Sequence, residues 1–259
     1  MAVGVWASTR RAEGKVAAAL DAMRLAFHLV GSCRWSQAFY DLQLRALMIL
    51  REICPMPLPY RLFVEETACL GLVVSDNFGR MKGKLFGGYL GLQAGDVDFA
   101  EKCCSVLEQD TPALGSQGTP IRAGGVLLRS FLLARKGDSE GARKILKSLN
   151  LDLEVPRTIR LKAGWQEARL ADSHSHACEK LEWVFTASRG FFSEGERLAV
   201  LLDLEARWRS RGGALPRNFR EVGTALAATV GNTPLGRELV HRWSALVAGP
   251  VRQQPERSS

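Results

Sequence analysis

Two stretches, YLGLQAGDVDFAEK at residues 89–102 and SFLLARKGDSEGARK at residues 130–144, decide the fold that we expect for this chain. Each joins two helical segments through a Gly-Asp corner, and each places an alanine four residues after the aspartate, at Ala100 and Ala142. Glycine permits the left-handed backbone that turns a chain sharply, and a small alanine lets two helices approach closely. The two stretches therefore predict helical hairpins with short corners.

Helical periodicity of the apolar residues extends through the rest of the chain, and no convincing alternating pattern typical of a strand accompanies it. One alternative stays open, because the run Leu70-Gly-Leu-Val-Val74 is also compatible with a short strand. Asp138 and the run Ser193-Glu-Gly-Glu196 are typical of helix N-caps, because their side-chain oxygens accept hydrogen bonds from first-turn N–H groups. The predicted helices are Lys15–Val30, Trp35–Ile53, Arg61–Val74, Lys84–Gln93, Asp98–Gln109, Ile121–Arg135, Ser139–Leu149, Arg157–Leu170, His174–Ser188, Glu194–Ser210, Pro216 or Asn218 to Val230, and Pro234–Val247.

The corner pattern resembles the tetratricopeptide repeat (TPR), a 34-residue helical hairpin that stacks into a solenoid. In the unit from Met81 to Pro112, the small residue of the first helix is Gly88, the alanine of the second helix is Ala100, and Pro112 is the closing proline. The unit departs from the family where aromatic residues are usual, at Lys84, Gly91 and Cys104.

We therefore expect an all-α protein of stacked antiparallel helical hairpins, a TPR-like solenoid with a C-terminal helical cap. A compact all-α bundle without repeats contains the same corners and inward alanines, and the sequence leaves that alternative open. The difference matters because a solenoid has a concave face on which a partner binds. The expected division is a flexible N-terminus at 1–14, TPR-like repeats at 15–190, a helical extension at 191–248 and a disordered tail at 249–259.

The composition is that of a globular protein, with 259 residues, 46% hydrophobic residues and 24% charged residues. No run of 18 apolar residues is present, so we predict no membrane-spanning helix. The formal net charge is +8, and arginine supplies most of the basic residues. A basic, arginine-rich chain suits an acidic protein partner or a nucleic acid.

The six cysteines include no CxxC pair. We interpret them as reduced, mostly buried thiols of an intracellular protein in the cytoplasm or nucleus. The neighbouring Cys103 and Cys104 are expected to be separate thiols on one helix, because disulfide geometry opposes a bond between adjacent helical residues. The first eleven residues contain two arginines and no acid, so the mitochondrial matrix remains a minor alternative.

The sequence contains no complete catalytic or metal-binding motif. The run Gly79-Arg-Met-Lys-Gly-Lys84 has too few residues between its glycines for a phosphate loop and has no Ser or Thr after the lysine. His174 and Cys178 lie one helical turn apart, but a tetrahedral metal site needs at least two further ligands. We therefore predict a protein that is not an enzyme and uses no cofactor or metal.

The function expected from this fold is that of a non-catalytic adaptor or scaffold subunit, which binds a peptide or helix of a partner protein within a multiprotein complex. The arginine excess predicts an acidic or amphipathic segment on that partner. Polar positions on the first helices of the hairpins are the candidates for a partner-binding groove: Lys84, Arg122, Arg129, Arg160 and Gln166.

An alternative hypothesis is a helical nucleic-acid-associated subunit with an arginine-rich C-terminal region. Eleven arginines and no lysine follow from Arg189 onward, and Trp208 lies among them as an aromatic platform. Helical spacing from Leu198 equally predicts that Trp208 belongs to the core. The candidate nucleic-acid contacts are Arg207, Arg209, Arg211, Arg217 and Arg220.

Overall fold

A computed structural model describes residues 2–13, 15–30, 37–50, 60–74, 76–149, 155–231 and 234–248, and within these ranges all regular structure is helical. The predicted all-α class is therefore confirmed, and the predicted tail at 249–259 lies outside the described residues. The elements are α1 (Ala2–Ala12), α2 (Val16–Val30), α3 (Gln37–Leu50), α4 (Tyr60–Val73), α5 (Asn77–Gln93), α6 (Val97–Asp110), a 3-10 turn (Thr111–Gly118), α7 (Thr119–Arg135), α8 (Ser139–Lys147), α9 (Arg157–Leu170), α10 (His174–Ala187), α11 (Glu194–Arg209), α12 (Arg217–Val230) and α13 (Pro234–Ala248).

Each helix packs against the next one along the chain, from α1 on α2 to α12 on α13. Odd-numbered helices also contact one another in order: α1 packs on α3, α3 on α5, α5 on α7, α7 on α9, and α11 on α13. The step from α9 to α11 is made by side chains, because Asp203 of α11 accepts hydrogen bonds from Trp165 at 2.7 Å and Arg169 at 2.6 Å. The odd-numbered helices thus form a continuous series of contacts from α1 to α13.

The two Gly-Asp corners have the predicted local chemistry. Gly95 and Gly137 have φ angles of +77° and +87°, a region that residues with a side chain rarely adopt. Asp96 and Asp138 follow them as N-caps, and each carboxylate accepts a hydrogen bond from the backbone N–H three residues later. The predicted cap at Asp138 is therefore confirmed, as is the capping box between Ser193 and Glu196.

Small residues set the distance between the paired helices. Ala100 and Ala142 are both fully buried, as the corner pattern predicts. Gly91 lies so close to the start of α6 that a Cβ atom there would come within 3.1 Å of the Ala100 nitrogen and of the Asp96 carbonyl oxygen. The glycine at position 91 therefore brings α5 closer to α6 than a residue with a large side chain would allow.

Ion pairs connect successive hairpins along their even-numbered helices. In each of three ion pairs, a residue on an even-numbered helix binds a residue in or beside the corner of the following hairpin. The basic residue lies on the helix in the first and third pairs, and beside the corner in the second. All of these side chains except that of Asp96 are exposed or about half-exposed, so the pairs add specificity more than stability. The pairs are Arg61 with Asp96, Glu101 with Lys136, and Arg143 with Asp172.

The N-terminal segment at 1–14, which the sequence predicts to be flexible, for the most part forms α1. The helix packs on α2 because its apolar face contains the fully buried Ala7 and the partly buried Val3. A further difference concerns α5, which begins at Asn77 and not at Lys84. The Asp76 carboxylate caps it by accepting from the Gly79 N–H at 2.8 Å, and packing offsets the low helix propensity of its glycines.

Candidate functional site: an aromatic groove

A groove of about 470 Å³ is lined mainly by residues of α5, α7 and α9. A second hollow of about 220 Å³ shares Tyr89, Lys162 and Glu196 with it and extends to Leu239 of α13. We call the first of these the aromatic groove. Its lining includes Phe78, Phe86 and Tyr89 of α5, Ile121 of α7, Ile159 of α9, and Phe191 before α11.

Helical spacing explains why α5 contributes most of the aromatic surface. Phe78, Lys82, Phe86 and Tyr89 are separated by four, four and three residues, which places them on one stripe of the helix. Phe78 has 37% of its surface exposed, so its ring is available to a ligand. Gly124 lets α7 lie close to α5, since a Cβ atom at position 124 would be 2.6 Å from a methyl group of Leu85 on α5.

Lys162 of α9 is neutralised within the groove. Its Nζ atom lies 2.6 Å from Oε1 of Glu196, and both side chains are more than four-fifths buried. The same ammonium group is 5.9 Å from the centre of the Tyr89 ring and 5.6 Å from that of Phe192, which is within the range of cation–π attraction. This pair therefore links α9 to α11 and supplies the polar wall of the groove.

Lys82 has a different environment. Its Nζ atom lies 5.8 Å from the Phe86 ring centre, and within the described residues it forms no ion pair or hydrogen bond. Burial lowers the pKa of Lys82, and the charge of Arg45 lowers it further, against a smaller opposing effect of Asp41 and Asp76. A partly buried ammonium group that forms no ion pair within the described residues favours the approach of an anion from solution.

The lysine and arginine candidates on α5 and α7 face the neighbouring even-numbered helices. Lys84 donates to Oε2 of Glu65 on α4 at 2.7 Å, and its side chain is only 12% exposed. Arg129 binds Glu108 on α6 at 2.8 Å and also contacts Glu101 at 3.5 Å. The hydrogen bond to Glu108 raises the pKa of Arg129. Both cations therefore join hairpins and do not line the groove.

The other three candidates also lie outside the groove lining. Arg122 donates to the Gly115 carbonyl at 3.1 Å and so ties α7 to the preceding turn. Gln166 is only 2% exposed and donates to the Ser130 carbonyl at 3.4 Å, so its side chain is not accessible to a partner. Arg160 lines a separate cleft between α9 and α10.

Two of the candidate C-terminal arginines bind other groups of the same chain. Arg207 donates to the backbone carbonyls of residues 168, 169 and 171 at 3.0–3.4 Å, which caps the C-terminal end of α9. Arg209 binds Glu205 at 2.7 Å, and this fully buried carboxylate also accepts from the Leu215 N–H at 3.0 Å. Of the remaining three, Arg211 is exposed, Arg217 pairs with Glu221 at 2.8 Å, and Arg220 is half-buried.

The described cysteines are free thiols, and three of the four are buried. Burial raises the pKa of Cys103 and of Cys104 to about 12, so both remain protonated at neutral pH. Sγ of Cys178 lies 3.5 Å from Nε2 of His174, as expected from their spacing. Within the described ranges, no three His, Cys, Asp or Glu side chains are grouped so as to hold a metal ion.

The groove residues on α5 are absent from the sequence-based candidates, because those candidates are charged or polar side chains chosen without regard to aromatic neighbours. The signal is nevertheless present: Phe78, Lys82 and Phe86 repeat every four residues. Helical spacing alone places these residues on one face, whereas Lys84, two positions after Lys82, is rotated by about 200°.

Comparisons with known proteins identify no relative of this chain. A scan of protein-family models finds no matching family, and searches of curated proteins and of solved structures find no match either. In the part of the chain that the structure describes, no helix is both long and apolar enough to cross a membrane.

Proposed function

We propose that this chain is a non-catalytic adaptor or scaffold subunit of a multiprotein complex, built as a divergent TPR-like array of helical hairpins. In this proposal the odd-numbered helices form the inner, partner-binding side. The order of helix contacts supports it, because each odd-numbered helix after α1 packs both on the preceding helix and on an odd-numbered neighbour. A solenoid requires contacts of this kind, in which each unit touches mainly the next.

The aromatic groove is the surface on which the partner segment binds. Its rings offer apolar contact area at low entropic cost, as interface aromatic residues generally do. Its length is also suitable: the axes of packed helices are about 8–10 Å apart, so a groove across three helices is about 20 Å long. An extended peptide spans this length with about six residues.

The environment of Lys82 is the single observation on which the proposed chemistry of the partner rests. It is a groove cation without an ion-pair partner among the described residues, and it lies on the same stripe as Phe78 and Phe86. An Asp or Glu of the partner, flanked by apolar side chains, forms the ion pair that Lys82 lacks among the described residues and covers the rings. The partner segment is thus acidic and amphipathic, in agreement with the net charge of +8.

Selection from a library of displayed peptides tests the proposal even though the partner protein is unidentified. We expect the enriched sequences to combine Asp or Glu with Leu, Phe or Trp. A photoreactive derivative of an enriched peptide should cross-link to α5, α7 or α9, and the charge reversal Lys82→Glu should abolish its binding.

The matched control is Lys84→Gln, which changes the same residue type two positions away on the other side of α5. It should retain the peptide. Enrichment of basic peptides, or cross-links confined to helices outside the groove, would contradict the proposal.

A further inference from the structure

The α9–α10 hairpin contains a second cavity that shares no lining residue with the aromatic groove. This cavity, the α9–α10 cleft, has a volume of about 410 Å³, which is within the range of small-ligand sites. Two helical stripes face each other across it, at spacings of three or four residues. The stripe on α9 consists of Arg157, Arg160, Gly164 and Glu167, and the stripe on α10 consists of Lys180, Trp183 and Ala187.

Trp183 forms a wall of the cleft and is half-exposed, with 49% of its surface accessible. Its ring lies against Gly164, where a Cβ atom would be only 2.8 Å from Cζ3 of the indole. The glycine therefore makes room for the ring beside the α9 backbone. An exposed indole held in this way offers a planar surface for stacking.

The charge of the cleft is positive. Its single acid, Glu167, is paired with Lys180 at 2.9 Å. Arg157 lies 4.6 Å from the Phe191 ring centre and makes one long hydrogen bond of 3.5 Å to the Ala187 carbonyl. Neither interaction neutralises its charge.

Arg160 lies between these groups along α9. Its Nε is buried, and this atom has no hydrogen-bond partner within the described residues. The guanidinium group also forms no ion pair there. Two guanidinium groups that form no ion pair within the described residues thus lie beside an exposed indole.

We propose that the α9–α10 cleft binds a nucleotide unit, with the base stacked on Trp183 and the phosphate held by Arg160 and Arg157. A base presents an aromatic face to the indole, and the phosphate of the nucleotide supplies anionic oxygens to two guanidinium groups that form no ion pair within the described residues. The nucleotide is either free or part of a single strand, since the recognised chemistry is the same. The site is separate from the aromatic groove and does not depend on its function.

Fluorescence anisotropy of a labelled short oligouridine, with AMP as unlabelled competitor, tests this site. Trp183→Leu should weaken binding by about tenfold, in line with the contribution of one stacked base. Arg160→Gln should weaken it and reduce the slope of log affinity against log salt by about 0.7, as expected for the loss of one phosphate contact to a single strand. If AMP displaces the oligouridine, a free nucleotide is sufficient for binding. If the oligouridine binds and AMP does not displace it, the site requires a single strand.

The control is Arg24→Gln, which removes the same charge from an exposed pair on α2 and should leave the affinity unchanged. Thermal unfolding of each variant verifies that it is folded, and Arg160→Gln provides a second test if Trp183→Leu is unstable. Wild-type affinity in both cleft variants would overturn the proposal. Equal competition by a glutamate-rich peptide would also overturn it, because it would show attraction to negative charge alone.

Discussion

Lys82 and Lys84 lie two residues apart on α5 and face opposite surroundings. The Lys84 ammonium group is 2.7 Å from the Glu65 carboxylate of α4, whereas that of Lys82 lies in the aromatic groove, 5.8 Å from the Phe86 ring centre. One lysine thus joins two helices, and the other leaves a positive charge on the surface where we propose that a partner binds.

Replacement of Lys82 by methionine should stabilise the protein by about 1 kcal/mol at neutral pH, because it removes a charge that burial disfavours. The pKa of Lys82 is lowered on folding, so the unfolded chain binds more protons between the lowered value and the ordinary one. As the pH increases from the lowered pKa of Lys82 to the ordinary pKa of lysine, the free energy of unfolding of the wild type should therefore rise relative to that of Lys82→Met. Urea unfolding as a function of pH measures this difference.

The corresponding control is Lys84→Met, which should lower the stability by no more than about 1 kcal/mol, since the partner Glu65 is half-exposed. A stability gain in Lys84→Met equal to that in Lys82→Met would show that the two lysines are not in different environments.

Gly91→Val should destabilise the α5–α6 hairpin by about 3 kcal/mol. The new side chain would meet the Ala100 nitrogen and the Asp96 carbonyl, and these backbone atoms cannot move without displacing the corner. Gly95→Ala is the comparison: its φ of +77° is strained for alanine, but no atom lies within 4 Å of the new Cβ, so we expect a loss of only about 1 kcal/mol. Chemical denaturation measures both. Equal losses would contradict the tight packing at Gly91.

Arg207→Ala should lower the free energy of unfolding by about 1–2 kcal/mol, because the carbonyl oxygens at the end of α9 lose their capping donor. Differential scanning calorimetry measures the loss. The same variant should bind oligouridine as tightly as the wild type, after correction for the fraction folded. Weaker binding without a loss of stability would instead favour the alternative hypothesis of a nucleic-acid contact at Arg207.

Alkylation should distinguish the cysteines by exposure. Iodoacetamide reacts with thiolates, so the exposed Cys69 should be modified rapidly at pH 8. Cys103 and Cys104 are buried with pKa values of about 12, and their modification should be as slow as unfolding. Peptide mass spectrometry after timed labelling gives each rate. Rapid labelling of Cys103 in the folded protein would contradict the observed packing of α6.

Local chemistry explains which features could be predicted from the sequence. The corner at Gly137 and Asp138 depends on a left-handed glycine and a capping carboxylate, and both signals lie within a few residues. The capping box at Ser193 is equally local. By contrast, the start of α5 at Asn77 depends on packing against other helices, which overrides the low helix propensity of its glycines.

The candidate site is harder to predict because charge alone does not indicate which side of a helix faces a groove. Arg129 and Lys84 are polar residues of first helices, as a groove requires, but their partners are acids on the preceding even-numbered helices, distant in sequence. Lys82 has the same charge as Arg129 and Lys84. It differs from both because it forms no ion pair with an acid among the described residues. That property depends on the packing of several helices.

The most direct test of the proposed partner site is a parallel calorimetric titration of an enriched acidic peptide into Lys82→Gln and Lys84→Gln. If the aromatic groove holds the partner through Lys82, the first variant should lose about tenfold or more in affinity, as expected for the loss of a close charge pair. The second should remain within about twofold of the wild type, because Lys84 faces Glu65. Equal affinity in both variants, or a greater loss in Lys84→Gln, would contradict the account.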